Sequence, residues 1–141
     1  MDMTSGYMKR GILLFWAVWL GIIAASNLTG LLKALRLVDV RFASNNFELV
    51  RGISATYGTP AGVAGLLFVG IILWQFVAAY RFLTAWGSVD RIHAAFGVSL
   101  ALWAGFLIAG EFFVHYEYEG IHMRIFTAQL ASLLTIRLLP D

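Results

Sequence analysis

The chain has 141 residues, 60% of them hydrophobic and only 13% charged, with a mean hydropathy of +0.80. This excludes an ordinary water-soluble domain, whose surface would need far more polar side chains. The net charge of +2 comes from ten Lys and Arg scattered in ones and twos, without the basic stripe that tracks nucleic acid. No cysteine is present, so disulfides, thiolate metal sites and covalently attached c-type haem are excluded as well.

Gly11 to Leu32 contains no charge and lies between Lys9-Arg10 and Lys33. At ~1.5 Å per residue it crosses a hydrocarbon layer ~30 Å thick. The run is too long for the apolar part of a cleaved secretory signal, and further spans follow it. Between Lys33 and Thr59 the composition is mixed. Phe42, Leu49, Val50, Ile53 and Tyr57 fall near one helical face, which predicts an interfacial amphipathic helix over about 44–57. Gly58-Thr59-Pro60 stops it. A second span covers 61–80, and a third covers 94–114 after the turn Gly87-Ser88-Val89-Asp90-Arg91. The fourth, 121–139, is interrupted by Arg124 and Arg137, which can snorkel to opposite surfaces. The expected fold is all-α: one domain, a four-helix transmembrane bundle with the interfacial helix between spans 1 and 2. Three spans plus a surface helix is the alternative.

Gly97, Ala101, Gly105 and Ala109 recur every four residues and form a helix-packing strip of small side chains. Ala17, Gly21 and Ala25 form a shorter strip, so spans 1 and 3 are expected to pack together, with an oligomer seam as the alternative. Trp16, Trp19, Trp74 and Trp103 read as lipid or bundle contacts.

Counting ~1.5 Å per residue from the span ends puts Asn27, Glu111 and Gln129 in one half of the bilayer, with His115 and Arg124 near that surface. Gln75 counts to a separate depth, nearer the opposite face. The expected intramembrane polar cluster is Asn27, Glu111, His115, Arg124 and Gln129. An ionised Glu111 should avoid lipid and pair with Arg124, either as structural glue or as a proton carrier or headgroup-binding residue.

In GEFFVHYEYEGIHMR, residues 110–124, the Glu119-x-x-His122 spacing matches half of a di-iron motif, but no second half exists. His93 and His115 sit at opposite ends of the third span, so only His115 and His122 are placed to meet. Haem and metal are therefore disfavoured. No cofactor is called for; a lipid or a quinone ring is what such a polar pole would take. No serine elbow, phosphate loop or zinc motif is present.

Ser26-Asn27-Leu28-Thr29, Ser44-Asn45-Asn46-Phe47-Glu48-Leu49-Val50, Leu73-Trp74-Gln75, Leu102-Trp103, Gly110-Glu111-Phe112-Phe113, Met123-Arg124-Ile125-Phe126 and Leu139-Pro140-Asp141 occur in that order. In these pieces the chain resembles the bacterial family of predicted small integral membrane proteins, whose function is unknown. The resemblance implies a four-span membrane fold and weight on Glu111 and Arg124. It departs from the family in the inserted Gly30 to Ala43 and in Gln75, where the family tends to carry glutamate.

Three functions follow as expectations. The first is a non-catalytic accessory or structural subunit of a larger membrane complex, respiratory or transport, with partner subunits or self-association and no nucleic acid. The second is a small proton-coupled carrier using Glu111. The third is a quinone- or b-haem-binding membrane protein. The expected location is a bacterial or archaeal cytoplasmic membrane with both termini cytoplasmic, although the Lys and Arg counts tie between the two sides.

Overall fold

A computed structural model describes residues 3–140; Asp141 of the last motif piece lies outside them. The described residues form α1 (Met3–Ala34), α2 (Asn46–Ser54) continuing as a 3-10 turn (Ala55–Tyr57), α3 (Ala61–Thr84), α4 (Val89–Phe112) and α5 (Glu119–Leu138), with no strand among them. Three helices are long and apolar enough to cross a membrane: Thr4–Ala34, Ala61–Thr84 and Val89–Phe112. The α5 helix is not among them; Glu119, Arg124, Gln129 and Arg137 dilute its apolar character.

Local signals set the helix ends. Ser88 accepts the Arg91 N–H at 3.4 Å, so α4 begins at Val89 and takes in residues 89–91 that the sequence assigns to a turn. Gly58 at φ +68° ends the 3-10 turn, and Pro60 opens α3. At the end of α1, Leu37 N–H reaches Leu32 O and Arg36 N–H reaches Lys33 O, a Schellman closure with Arg36 in the left-handed region at φ 58°.

α1 buries Leu13, Trp16, Ala17, Leu20, Ala24, Asn27 and Leu31, steps of three and four that form one face. α3 does the same with Ala64, Phe68, Ile72, Gln75, Ala78 and Phe82. The packing order is α1 on α3, α3 on α4 and α4 on α5, with α2 laid across α1 and α3. Spans 1 and 3 are therefore not the close partners that their small residues predict. α1 and α4 meet through Trp19 and Trp103, whose ring centroids stand 5.8 Å apart. Two indole rings at that point hold the backbones too far apart for small-residue packing.

One end of the bundle is filled. Leu13, Trp16, Leu20, Phe82, Phe96, Trp103 and Ile136 share one core, with Phe82 edge-on to Phe96 at 4.8 Å, and Trp16 Nε1 donates to Ser132 Oγ at 3.1 Å, joining α1 to α5. Polar anchors close this end. Arg10 lies over the Trp86 ring at 5.5 Å, Arg91 donates to Thr84 O and Trp86 O, and Arg137 meets His93 Nε2 at 2.9 Å.

At the other end a second, smaller core of Leu31, Phe47, Phe68 and Ile72 lies beneath α2. Tyr57 Oη reaches across and donates to Phe112 O at 2.7 Å, tying the 3-10 turn to the end of α4. Between the two halves a cavity remains.

Candidate functional site

Three buried amide side chains, in two separate contacts, join the helices. Asn27, 2% exposed, donates from Nδ2 to Oε1 of Gln75, also 2% exposed, at 2.9 Å. Asn27 Oδ1 accepts from Ser44 Oγ at 2.7 Å and from Asn46 Nδ2 at 2.8 Å. One side chain thus ties α1 to α3 and to the connection that leads into α2. Ser44 N–H also donates to Ser26 O at 3.0 Å, and Thr29 Oγ1 donates to Phe42 O. Residues 42–46 lie on α1 as a strap, and Gly30 makes room for it, since a Cβ there would collide with the Ser44 carbonyl oxygen. The second contact is made by Gln129, fully buried, whose Nε2 donates to Ser99 Oγ at 2.6 Å and joins α5 to α4.

These contacts correct the depth count. Gln75 does not sit apart from Asn27; it is its partner. Counting from the span ends assumes that all helices begin at one plane. Gln75 is ~21 Å from the start of α3 and Asn27 only ~10 Å from the end of α1, so the two helices are staggered by about two turns.

The expected cluster of Asn27, Glu111, His115, Arg124 and Gln129 is divided. Asn27 is buried against Gln75 and Gln129 against Ser99, in separate contacts, whereas Glu111 and Arg124 are exposed and make no ion pair with each other among the described residues. At 100° per residue Glu111 lies about 120° from the middle of the buried face of α4, and Arg124 about 140° from Gln129 on α5. Both side chains leave the bundle. His115 stays with the cavity, as part of its wall.

The small-residue strip also faces outward: Gly97, Ala101 and Gly105 are exposed and Ala109 is half-buried. A four-residue step turns ~400°, so the strip drifts by ~40° each time and reaches the cavity wall at Ala109.

The cavity holds about 490 Å³, within the roughly 300–1,000 Å³ of sites that take small ligands. α1 supplies Trp19 and Ile23, α3 Phe68 and Ile71, α4 Trp103 and Phe106, and α5 His122 and Ile125, while Leu49, Val50 and Ile53 of α2 complete the lining. Asn27, Asn46 and Gln75 add polar groups to this largely apolar wall. The His122 ring stacks on Phe106 at 4.9 Å and lies 5.8 Å from Trp103. Trp103, 4% exposed, has its indole Nε1 buried without a hydrogen-bond partner, whereas His115 Nε2 lies 3.8 Å from Glu117 Oε2. Among the described residues no three His, Asp or Glu side chains gather in a group able to hold a metal ion. The sequence reading missed Trp19 and Trp103 as cavity residues; an aromatic side chain in an apolar helix has no signature that separates lipid contact from cavity wall.

The turn that carries His115 is strained. His115 N–H reaches Gly110 O at 2.9 Å and Val114 N–H reaches Glu111 O at 3.2 Å, another Schellman closure. Its left-handed position is occupied by Val114 at φ 52°, where a β-branched residue is costly. Val114→Gly should stabilise the isolated protein by about 1 kcal/mol, read as a higher unfolding midpoint in detergent. A lower midpoint would mean that the Val114 side chain contributes more by packing than its backbone costs.

Compared with protein-family models, with curated proteins and with solved structures, the chain matches none.

Proposed function

We propose that the protein is a non-catalytic subunit of a larger membrane complex, docked through the outward strip of α4. The observation that carries this reading is the exposure of Gly97, Ala101 and Gly105 on a helix apolar enough to cross a membrane. Small side chains let two helix backbones approach closely, and close approach is what drives association in lipid. A lipid-facing helix needs no such strip. Glu111 and Arg124 leave the bundle near the same end and are available to a partner's polar groups, a better use of their charge than facing hydrocarbon.

In this reading α5 is a fourth span and α2 lies at the interface. Support for the span comes from register: α5 starts beside the end of α4 and returns to its beginning, where Arg137 meets His93. Its 20 residues measure ~30 Å, one bilayer core. Four crossings put both termini on one side, which we take as the cytoplasmic side of a bacterial or archaeal membrane because Lys9 and Arg10 flank the first span. Convergence of two motif pieces on one contact, Asn27 with Ser44 and Asn46, supports membership of the small integral membrane family that the motifs resemble.

The strip is tested by enlarging it. A Cβ at Gly105 meets nothing within 4 Å inside the protein, so Gly105→Leu should leave the isolated chain as stable as wild type. In native membranes it should lower the fraction co-migrating with a large assembly at least several-fold. Unchanged co-migration would remove the docking role of the strip, and formation only of a symmetric oligomer by the wild type would replace a partner subunit with self-association.

A further inference from the structure

The cavity runs along the helices and has a shape that the subunit reading does not use. Its wall includes Trp19 to Asn27 on α1 and Leu67 to Gln75 on α3, a length of ~12 Å in each case at ~1.5 Å per residue. That is most of one leaflet, half of a hydrocarbon layer ~30 Å thick. The inner end is closed by Trp19 against Trp103. The outer end is bordered by Asn46 at the start of α2, Glu119 at the start of α5 and His115 in the turn between α4 and α5. Leu67 and Ile121 line the cavity and are 49% and 51% exposed, so it is not sealed from its surroundings.

The amides and serines on this wall are held by the protein itself. Asn27 bonds to Gln75 and Asn46, Ser26 Oγ donates to Ile23 O at 3.0 Å, and Ser54 Oγ donates to Arg51 O at 3.1 Å. Water is poorly suited to such a space, since each molecule needs two or more polar partners. An empty space is unfavourable too, because its lining forfeits dispersion contacts. From this we infer that the cavity holds one acyl chain of a lipid, laid parallel to the helices with its polar end at the rim of Asn46 and Glu119. A chain with no hydrogen-bonding group along its length matches a wall whose amides and serines are already paired. Membrane phospholipid and free fatty acid both carry such a chain. The inference concerns the cavity alone and does not depend on whether α4 docks a partner.

Purified full-length protein is stripped of lipid in cholate micelles, whose detergent has no alkyl chain. It is then titrated by calorimetry with palmitate, with palmitoyl lysophosphatidylethanolamine, and with glycerophosphoethanolamine, the same head group without a tail. Saturable one-to-one binding of a chain-bearing probe and none of the tail-free head group is expected; the tighter of the two chain-bearing probes identifies the source. Ala109 on α4 and Ile53 on α2 line the cavity and are half-buried. Ala109→Phe and Ile53→Trp, made separately, put a ring into the space from two different helices. Each should weaken chain binding at least tenfold, and each should melt at or above the wild-type temperature without ligand, because it fills a void. Gly70→Leu is the control: Gly70 is exposed on α3, outside the cavity wall, and its added Cβ meets nothing within 4 Å. It should leave chain affinity unchanged.

Five results would overturn the inference: no saturable binding of either chain-bearing probe, equal binding of the tail-free head group, undiminished affinity in both filled variants, an equal loss of affinity in Gly70→Leu, or a lower melting temperature without ligand for both filled variants. The last would show that the space is not free to accept a chain.

Discussion

Asn27→Ala should be among the most damaging single substitutions in the chain, costing about 2–4 kcal/mol of stability. Three hydrogen bonds end on that side chain. In a membrane bundle each is worth ~0.6 kcal/mol on average and up to ~1.7. The loss also strands Gln75, only 2% exposed, and a buried group deprived of its partner adds about 1–3 kcal/mol. Unfolding in mixed detergent micelles, followed by tryptophan fluorescence, measures the cost. In a Gln75→Leu background the same substitution should cost about 1 kcal/mol less, because its partner is already gone. Equal costs in both backgrounds would mean that the Asn27–Gln75 bond contributes nothing to stability.

Gly30→Ala should be the second severe change, at about 2–3 kcal/mol. Helical propensity alone predicts the opposite, since alanine is favoured over glycine within a helix by about 1 kcal/mol. Here the added methyl group meets backbone, the Ser44 carbonyl. Backbone cannot swing aside as the tip of a side chain can, so the strap at 42–46 must lift. Its bonds to Ser26, Asn27 and Thr29 are then at risk together. Gly21→Ala is the matched control: it lies in the same helix, and nothing stands within 4 Å of its added Cβ. It should stabilise slightly, by up to ~1 kcal/mol. Similar effects at Gly30 and Gly21 would contradict the docked strap.

The two substitutions separate what was readable in the sequence from what was not. Long apolar runs with few charged residues located α1, α3 and α4, because hydrocarbon imposes a minimum length that composition records directly. The helix before Gly58 was legible for a similar reason: Leu49, Val50 and Ile53 repeat at helical spacing amid polar residues. Gln75 was misplaced because sequence gives distance along a helix and not the stagger between helices. Intramembrane amides seek one another whatever their counted depth, and that rule would have paired it with Asn27.

The small-residue strip was visible, but its direction was not. Gly97, Ala101 and Gly105 lack side chains whose polarity would reveal a facing, so the spacing fits an inner or an outer surface equally well. Glu111 and Arg124 illustrate the converse limit. Opposite charges at a similar depth suggest a pair, yet the helical phase of each residue relative to Ser99 and Gln129 turns it outward. The cavity had no sequence signature because its wall is assembled from side chains of five helices that are distant in sequence.

We propose that an outward strip on α4 seats this small chain in a larger assembly. Native membranes extracted in mild detergent, separated by size and probed for the chain by mass spectrometry test it most directly. The chain should run with reproducible partner subunits in an assembly several times its own 15.6 kDa mass. Migration of the chain as a lone monomer would contradict the claim.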